Sequence, residues 1–225
     1  MLKSNFQLIS RFLILVSILF LPFSGYSQNS DIGNWLIYIG SKQVNQKWNI
    51  HHEVQYRNYD LGGDLEQLLL RTGLGYNIDD SNTNFLLGYG FILSENYTGN
   101  DNEKVSVNEH RIFQQFISKQ NIRSVKISHR YRFEQRFVEE DFRMRFRYFL
   151  SLNVPLNKNT EHSLYLSAYN EIFLNSESSV FDRNRLYGGL GYKLCKSAKL
   201  ELGYMNQFFE RSSRDQINIV ALVNF

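Results

Sequence analysis

Val125 to Phe137 reads VKISHRYRFEQRF and Phe142 to Pro155 reads FRMRFRYFLSLNVP, with the acidic tetrapeptide Val138-Glu139-Glu140-Asp141 between them. In the first arm Lys126, Ser128, Arg130, Arg132, Glu134 and Arg136 take the even positions, and Val125, Ile127, His129, Tyr131, Phe133 and Phe137 the odd ones. The parity flips across the tetrapeptide, so that Arg143, Arg145 and Arg147 oppose Phe142, Met144, Phe146, Tyr148, Leu150, Leu152 and Val154. Successive side chains of a strand point to opposite faces, so a period of two predicts a hairpin with one charged and one apolar face. Each arm keeps the alternation for about 12 residues, roughly 40 Å, where an ordinary soluble strand has about 5 or 6 residues. A soluble sandwich would bury the aromatic face under a second sheet. A membrane barrel turns that face to lipid and the arginines to the lumen.

The rest of the chain decides between them. Lys3 and Arg11 lead into the apolar run Phe12 to Leu21, followed by Pro22 and small residues from Gly25 to Ser27. That run is shorter than the about 20 residues a spanning helix needs, and predicts a cleaved signal peptide over 1–27 and a barrel over 28–225. No cysteine stands near the cut, which argues against a lipid anchor. The remaining twenty-three Lys and Arg against twenty-two Asp and Glu give no electrostatic case for nucleic acid. Mean hydropathy is -0.37, a soluble-looking value that alternation explains, since apolar residues at every second position are averaged away in any window. Cys195, the one cysteine, can form no internal disulfide and has no metal partner at a zinc-like spacing.

The alternation recurs throughout. Strands are predicted over 34–40, 47–58, 65–78, 83–96, 107–119, the two hairpin arms, 162–174, 183–194, 199–210 and a last segment through Ile217 to Phe225. The strand 107–119 is the least regular, because Glu109-His110-Arg111 and Gln114-Gln115 put polar groups on both parities; a bulge there would re-aim the side chains. Gly73, Gly75, Gly88 and Gly90 fall on the inner face and predict room for long inner arginines. The chain ends on Phe225, and an alternating strand with a C-terminal aromatic is similar to the signal read by the outer-membrane barrel-assembly machinery.

Eleven strands are awkward, since bacterial single-chain barrels have an even number, with short periplasmic turns and longer outer loops. Placing Phe225 in the periplasm puts loops 59–64, 97–106, 138–141, 175–181 and 211–215 outside, but sends the first strand inward from the outside. The expectation is an all-β, antiparallel transmembrane β-barrel of about 10–12 strands, with the first strand standing apart or the lead before it adding a twelfth. Its lumen would be Arg-rich: Arg57, Arg71, Arg111, Arg130, Arg132, Arg136, Arg143, Arg145, Arg147, Arg183 and Arg185 face inward with Glu53, Glu109, Glu134, Glu171 and Glu201. Guanidinium–carboxylate ladders can fill a narrow barrel and stiffen its wall, which predicts a structural or surface role. The arginine surplus also suits a narrow anion-selective channel.

Several groups of residues, taken in order, resemble a known family. They are Trp48 with Glu53, Gln55 and Arg57; Glu109-His110-Arg111 with Gln114-Gln115; His129-Arg130 with Glu134-Gln135-Arg136; Arg143, Arg145 and Arg147; Glu171 with Phe173; and Asn184-Arg185 before Gly191-Tyr192. Together they look like domain of unknown function 2490, an outer-membrane barrel family of Bacteroidota and related Gram-negative bacteria. The resemblance implies a fold and a location in the outer membrane. It carries no activity.

Enzymatic chemistry is a third reading. Some outer-membrane barrels hydrolyse lipids with a serine and a histidine, which must meet within hydrogen-bonding distance beside an orienting acid or amide. Ser128 and His129 are adjacent and so point to opposite faces, and His110 has no serine near it in its own strand. His51 and His52 are poor co-ligands for the same reason, and no phosphate loop or helical metal motif is present. No catalytic residue, cofactor or metal ligand is nominated. The partners expected are outer-membrane lipid and lipopolysaccharide, the assembly machinery and, for a channel, a small anionic solute.

Overall fold

The computed structural model describes residues 32–79, 82–99, 103–157, 163–177 and 179–225; the segment read as a signal peptide lies outside the described residues. The strands are β1 (Gly33–Gln43), β2 (Trp48–Asn58), β3 (Leu65–Asp79), β4 (Thr83–Tyr97), β5 (Lys104–Ile122), β6 (Val125–Val138), β7 (Asp141–Pro155), β8 (Leu164–Asn175), β9 (Phe181–Lys193), β10 (Ala198–Phe208) and β11 (Ser213–Asn224). Each pairs with its sequence neighbour, and β1 meets β11 to close a barrel.

The closing pair resolves the strand count. An odd number of strands joined by hairpins leaves the first and last pointing the same way, so the ring can close only through a parallel ladder. β1 and β11 form that ladder, from Gly33 opposite Gln216 to Ser41 opposite Asn224. The first strand therefore neither stands apart nor needs a twelfth, and the barrel is mixed where a wholly antiparallel one was expected.

Register sets the barrel's width. Following paired residues from Trp35 through β2, β3 and β4 reaches Val107 on β5, whereas the other way round reaches Asn121. That stagger of about fourteen residues over eleven strands implies a tilt of roughly 40° and a backbone radius of roughly 11 Å, which inward side chains can fill. The shortest strands, of 11 residues, then rise roughly 27 Å along the axis, close to the about 25 Å apolar band of outer-membrane barrels.

β5 runs without a bulge. Its register with β4 and β6 is unbroken, so Glu109, Arg111, Phe113 and Gln115 point inward while His110, Ile112 and Gln114 point outward. Of its two outward polar residues here, His110 lies 2.6 Å from Tyr89 Oη, and Gln114 is accommodated by Gln135 across the ladder: the two outward amides donate to each other at 3.4 and 3.3 Å. Asn170 and Asn184 make the same reciprocal pair on β8 and β9. Bulges occur instead where Glu66, Ile78 and Asp182 are the extra residues. The inner glycines also serve a different purpose from the one expected. A Cβ on Gly88 would run into the Phe113 ring, one on Gly191 into Tyr165 and one on Gly203 into Tyr187, while Gly73 makes room for Leu86 and Gly75 for Asn49. Gly90, beside Arg71, is the position that makes room for an arginine.

Every strand contributes exposed apolar side chains to the outside, among them Leu36, Val54, Leu70, Leu87, Ile112, Phe133, Phe146, Leu166, Leu190, Leu202 and Ile219. They form a continuous belt. Inside, an apolar cluster of Trp35, Tyr187 and Met205, with Ile37 and Tyr169 against it, lies beside the charged residues.

A salt-bridged arginine lumen as candidate functional site

Alternation alone turns the arginines of β2, β3, β5, β6, β7 and β9 inward, and burial then forces them to find carboxylates. Glu134, with no exposed surface, is the hub. Its Oε2 accepts from Arg145 Nε and Nη2 at 3.0 and 2.7 Å, and its Oε1 from Arg147 Nη1 at 2.7 Å. Arg147 turns its other edge to Glu171 Oε1 at 3.0 and 2.6 Å, where Arg130 also donates at 2.7 Å. Arg145 reaches Asp182 at 3.1 Å. The result is one chain of alternating charge, Asp182 to Arg145 to Glu134 to Arg147 to Glu171 to Arg130. Sharing each carboxylate between guanidiniums is what bidentate arginine geometry permits and what desolvation demands.

Nearer the end of the barrel that carries loops 59–64 and 139–140, Glu109 is clasped by two forks. Arg111 donates at 2.5 and 2.8 Å and Arg136 at 2.5 and 3.0 Å. Glu53 binds Arg71 at 2.8 Å, and Gln55 Nε2 donates to the same carboxylate. Arg132, 1% exposed, donates Nε and Nη2 to Gln115 at 2.9 and 2.5 Å, and Arg185 donates to Gln207 at 2.8 Å. Arg57 makes no ion pair among the described residues; it donates to Gln55 and Gln67 and lies 3.7 Å from the Trp35 ring.

Of the residues singled out from sequence, the structure gathers Arg57, Arg71, Glu109, Arg111, Arg130, Arg132, Glu134, Arg136, Arg145, Arg147, Glu171 and Arg185 in the lumen. Arg143 is elsewhere: it is exposed at the rim, paired with Asp141 at 2.9 Å. Reading by parity overlooked Asp182, an outward position by count that its bulge brings within reach of Arg145 and Arg183. It placed Gln55, Gln67 and Gln207 on the inner face without assigning them partners, and it did not single out the ring platforms. Phe173 alone has the guanidiniums of Arg145, Arg147, Arg183 and Arg185 within 4.4 to 5.9 Å of its centre. Their inward parity was visible in sequence; the contacts were not.

The lumen is unlike at its two ends. At the loop end a polar cavity of about 200 Å³ opens between β2 and β9, with eight arginines and one carboxylate, Glu109, in its walls. At the Phe225 end Tyr165 donates to Glu201 at 2.9 Å, and Lys199 Nζ lies 5.7 Å from the centre of the Tyr165 ring. Outside the wall, Asp64 accepts from Lys104 and from Tyr97, and these two bonds hold its carboxyl below the usual carboxylate range.

Among the described histidines, two meet tyrosine or glutamine and one a carboxylate. His129 lies 2.9 Å from Tyr148 Oη and 3.2 Å from Gln120 Nε2, and His110 lies 2.6 Å from Tyr89 Oη. His51 lies 3.3 Å from Glu53. Among the described residues no cluster of three His, Cys, Asp or Glu could hold a metal.

Fold and lumen together define a closed, eleven-stranded β-barrel with an arginine-rich, salt-bridged interior. The chain belongs to the family described as "Protein of unknown function (DUF2490)", whose model matches residues 32–218. It is similar to an uncharacterized protein of Methylorubrum extorquens, 31% identical over 164 residues that cover 69% of each chain. No solved structure matches it.

Proposed function

We propose that this protein is an outer-membrane β-barrel whose lumen is closed by its own side chains, with a structural or surface role. The observation that carries the reading is the packing across the bore. At one height Trp35, Leu69, Phe113, Glu134, Phe173 and Met205, from six different strands, are each 3% exposed or less. A pore would leave its lining wet. The belt of exposed apolar side chains around all eleven strands supports a lipid surrounding, because soluble proteins rarely expose contiguous apolar patches beyond a few hundred Å². No helix of the described residues is long and apolar enough to cross a membrane, which is immaterial to a protein that crosses with strands. The reciprocal Gln114–Gln135 and Asn170–Asn184 pairs fit the same surrounding, since in lipid an amide has no water to turn to.

Single-channel recording of the refolded protein in planar bilayers tests this. A silent bilayer from a correctly folded, heat-modifiable band is the expected result. Stable anion-selective steps, weakened in the Arg130→Ala/Arg145→Ala double variant, would instead establish the narrow-channel reading. A lipid hydrolase would instead release fatty acid from phospholipid or lipid A.

A further inference from the structure

The loop-end cavity is not part of the packed plug, and the structural role leaves it unused. Its walls carry more positive charge than the lumen neutralises. Eleven arginines of inward parity, Arg57, Arg71, Arg111, Arg130, Arg132, Arg136, Arg145, Arg147, Arg183, Arg185 and Arg214, share six carboxylates, those of Glu53, Glu66, Glu109, Glu134, Glu171 and Asp182, and the inner Glu201 is bonded to Tyr165 at the other end. The shortfall shows at individual groups. Arg57, 7% exposed and lining the cavity, has only neutral amides as acceptors. It shares the Trp35 ring with Arg185, whose guanidinium is 4.8 Å from the same centre. Uncompensated cations away from bulk water are costly, and an anion among them removes the cost.

We propose that this cavity binds a compact, multivalent oxyanion of the phosphate class. Guanidinium forks match the oxygens of phosphate in pairs, and a multivalent anion answers a surplus that one halide would leave largely standing. Gln67, Ser94 and Asn96 in the wall add neutral donors. The volume of about 200 Å³ equals that of about six or seven liquid waters. Orthophosphate or diphosphate fits that space; an acyl chain or an oligosaccharide does not. The site needs no passage through the plug, so its occupancy and the bilayer recording are independent.

Isothermal titration of the full chain refolded in a zwitterionic detergent is the test, with sodium diphosphate, orthophosphate and chloride at matched ionic strength and with dihexanoyl phosphatidic acid as the lipid-headgroup arm. Saturable binding of the phosphates and none of chloride is expected. The Arg57→Gln/Arg183→Gln double variant should lose about tenfold or more in affinity, and Arg143→Gln none. Tighter binding of the phosphatidic acid than of free phosphate would identify a lipid headgroup as the source of the anion, and the reverse a soluble one. Absence of saturable phosphate binding by the wild type, or unchanged affinity in a folded double variant, overturns the proposal. Should the double variant not fold, phenylglyoxal modification of the wild type replaces it: diphosphate should protect Arg136 and Arg183 but not Arg143, and equal modification with and without diphosphate overturns the site.

Discussion

Glu134 shows how much a single side chain can carry here. It has no exposed surface, three hydrogen bonds to arginine, and Arg111 and Arg132 at 3.9 and 3.7 Å. Replacing it by glutamine keeps the shape and removes the charge, leaving Arg145 and Arg147 to share Glu171 and Asp182. Breaking a buried pair in this way costs about 3 to 5 kcal/mol, and we expect Glu134→Gln to lower unfolding stability by about that amount in urea titrations of the vesicle-folded protein. Arg143→Gln, at the exposed rim, should change it by less than about 1 kcal/mol. A result with the two reversed would remove Glu134 from the centre of the network. The inward direction of most of these residues was legible from parity. Which arginine meets which carboxylate was not, because partners such as Arg130 and Glu171, 41 positions apart, meet only once register is set.

At the scale of elements, the closing ladder is the feature that reading by period could least supply. Periodicity finds a strand and says which residues share a face; it is silent on which strand lies beside which. The short β1 was found as a strand, yet its place between β2 and β11 depends on direction and count together. Leu36 and Ile219 stand opposite each other across the parallel pair, and both are exposed on the outer wall. With Leu36→Cys and Ile219→Cys, a short bismaleimide should link the two ends of the chain and shift the denatured band on a gel. Leu36→Cys with Leu202→Cys, one strand further, should link far less. Equal yields, or none from the first pair, would mean that β1 does not close the ring. The bulge expected in β5 failed for a related reason. Mixed parity was read as broken register, whereas an outward glutamine paired with another glutamine needs no break.

For the whole molecule, the decisive property is inversion: an apolar outside and a polar inside. The two tryptophans report on it separately, since Trp48 is 40% exposed on the outer wall and Trp35 is 3% exposed in the lumen. In vesicles of brominated lipid, fluorescence of the Trp35→Phe variant, which keeps Trp48, should be strongly quenched. That of Trp48→Phe, which keeps Trp35, should be nearly unaffected. Equal quenching would contradict a lipid-facing outer wall.

The sequence by itself determined that the chain is all-β, that its strands are long and two-faced, and that most of the strand arginines share the inner face with Glu53, Glu109, Glu134, Glu171 and Glu201. All of these follow from the period of two, a local property of the backbone. Tertiary structure decided the closure through a parallel pair, the aromatic rings seated over inner glycines, the recruitment of Asp182 by its bulge, and the packing that shuts the bore while leaving a cationic cavity at one end. Those depend on stagger and radius, which belong to the closed ring and to no single strand.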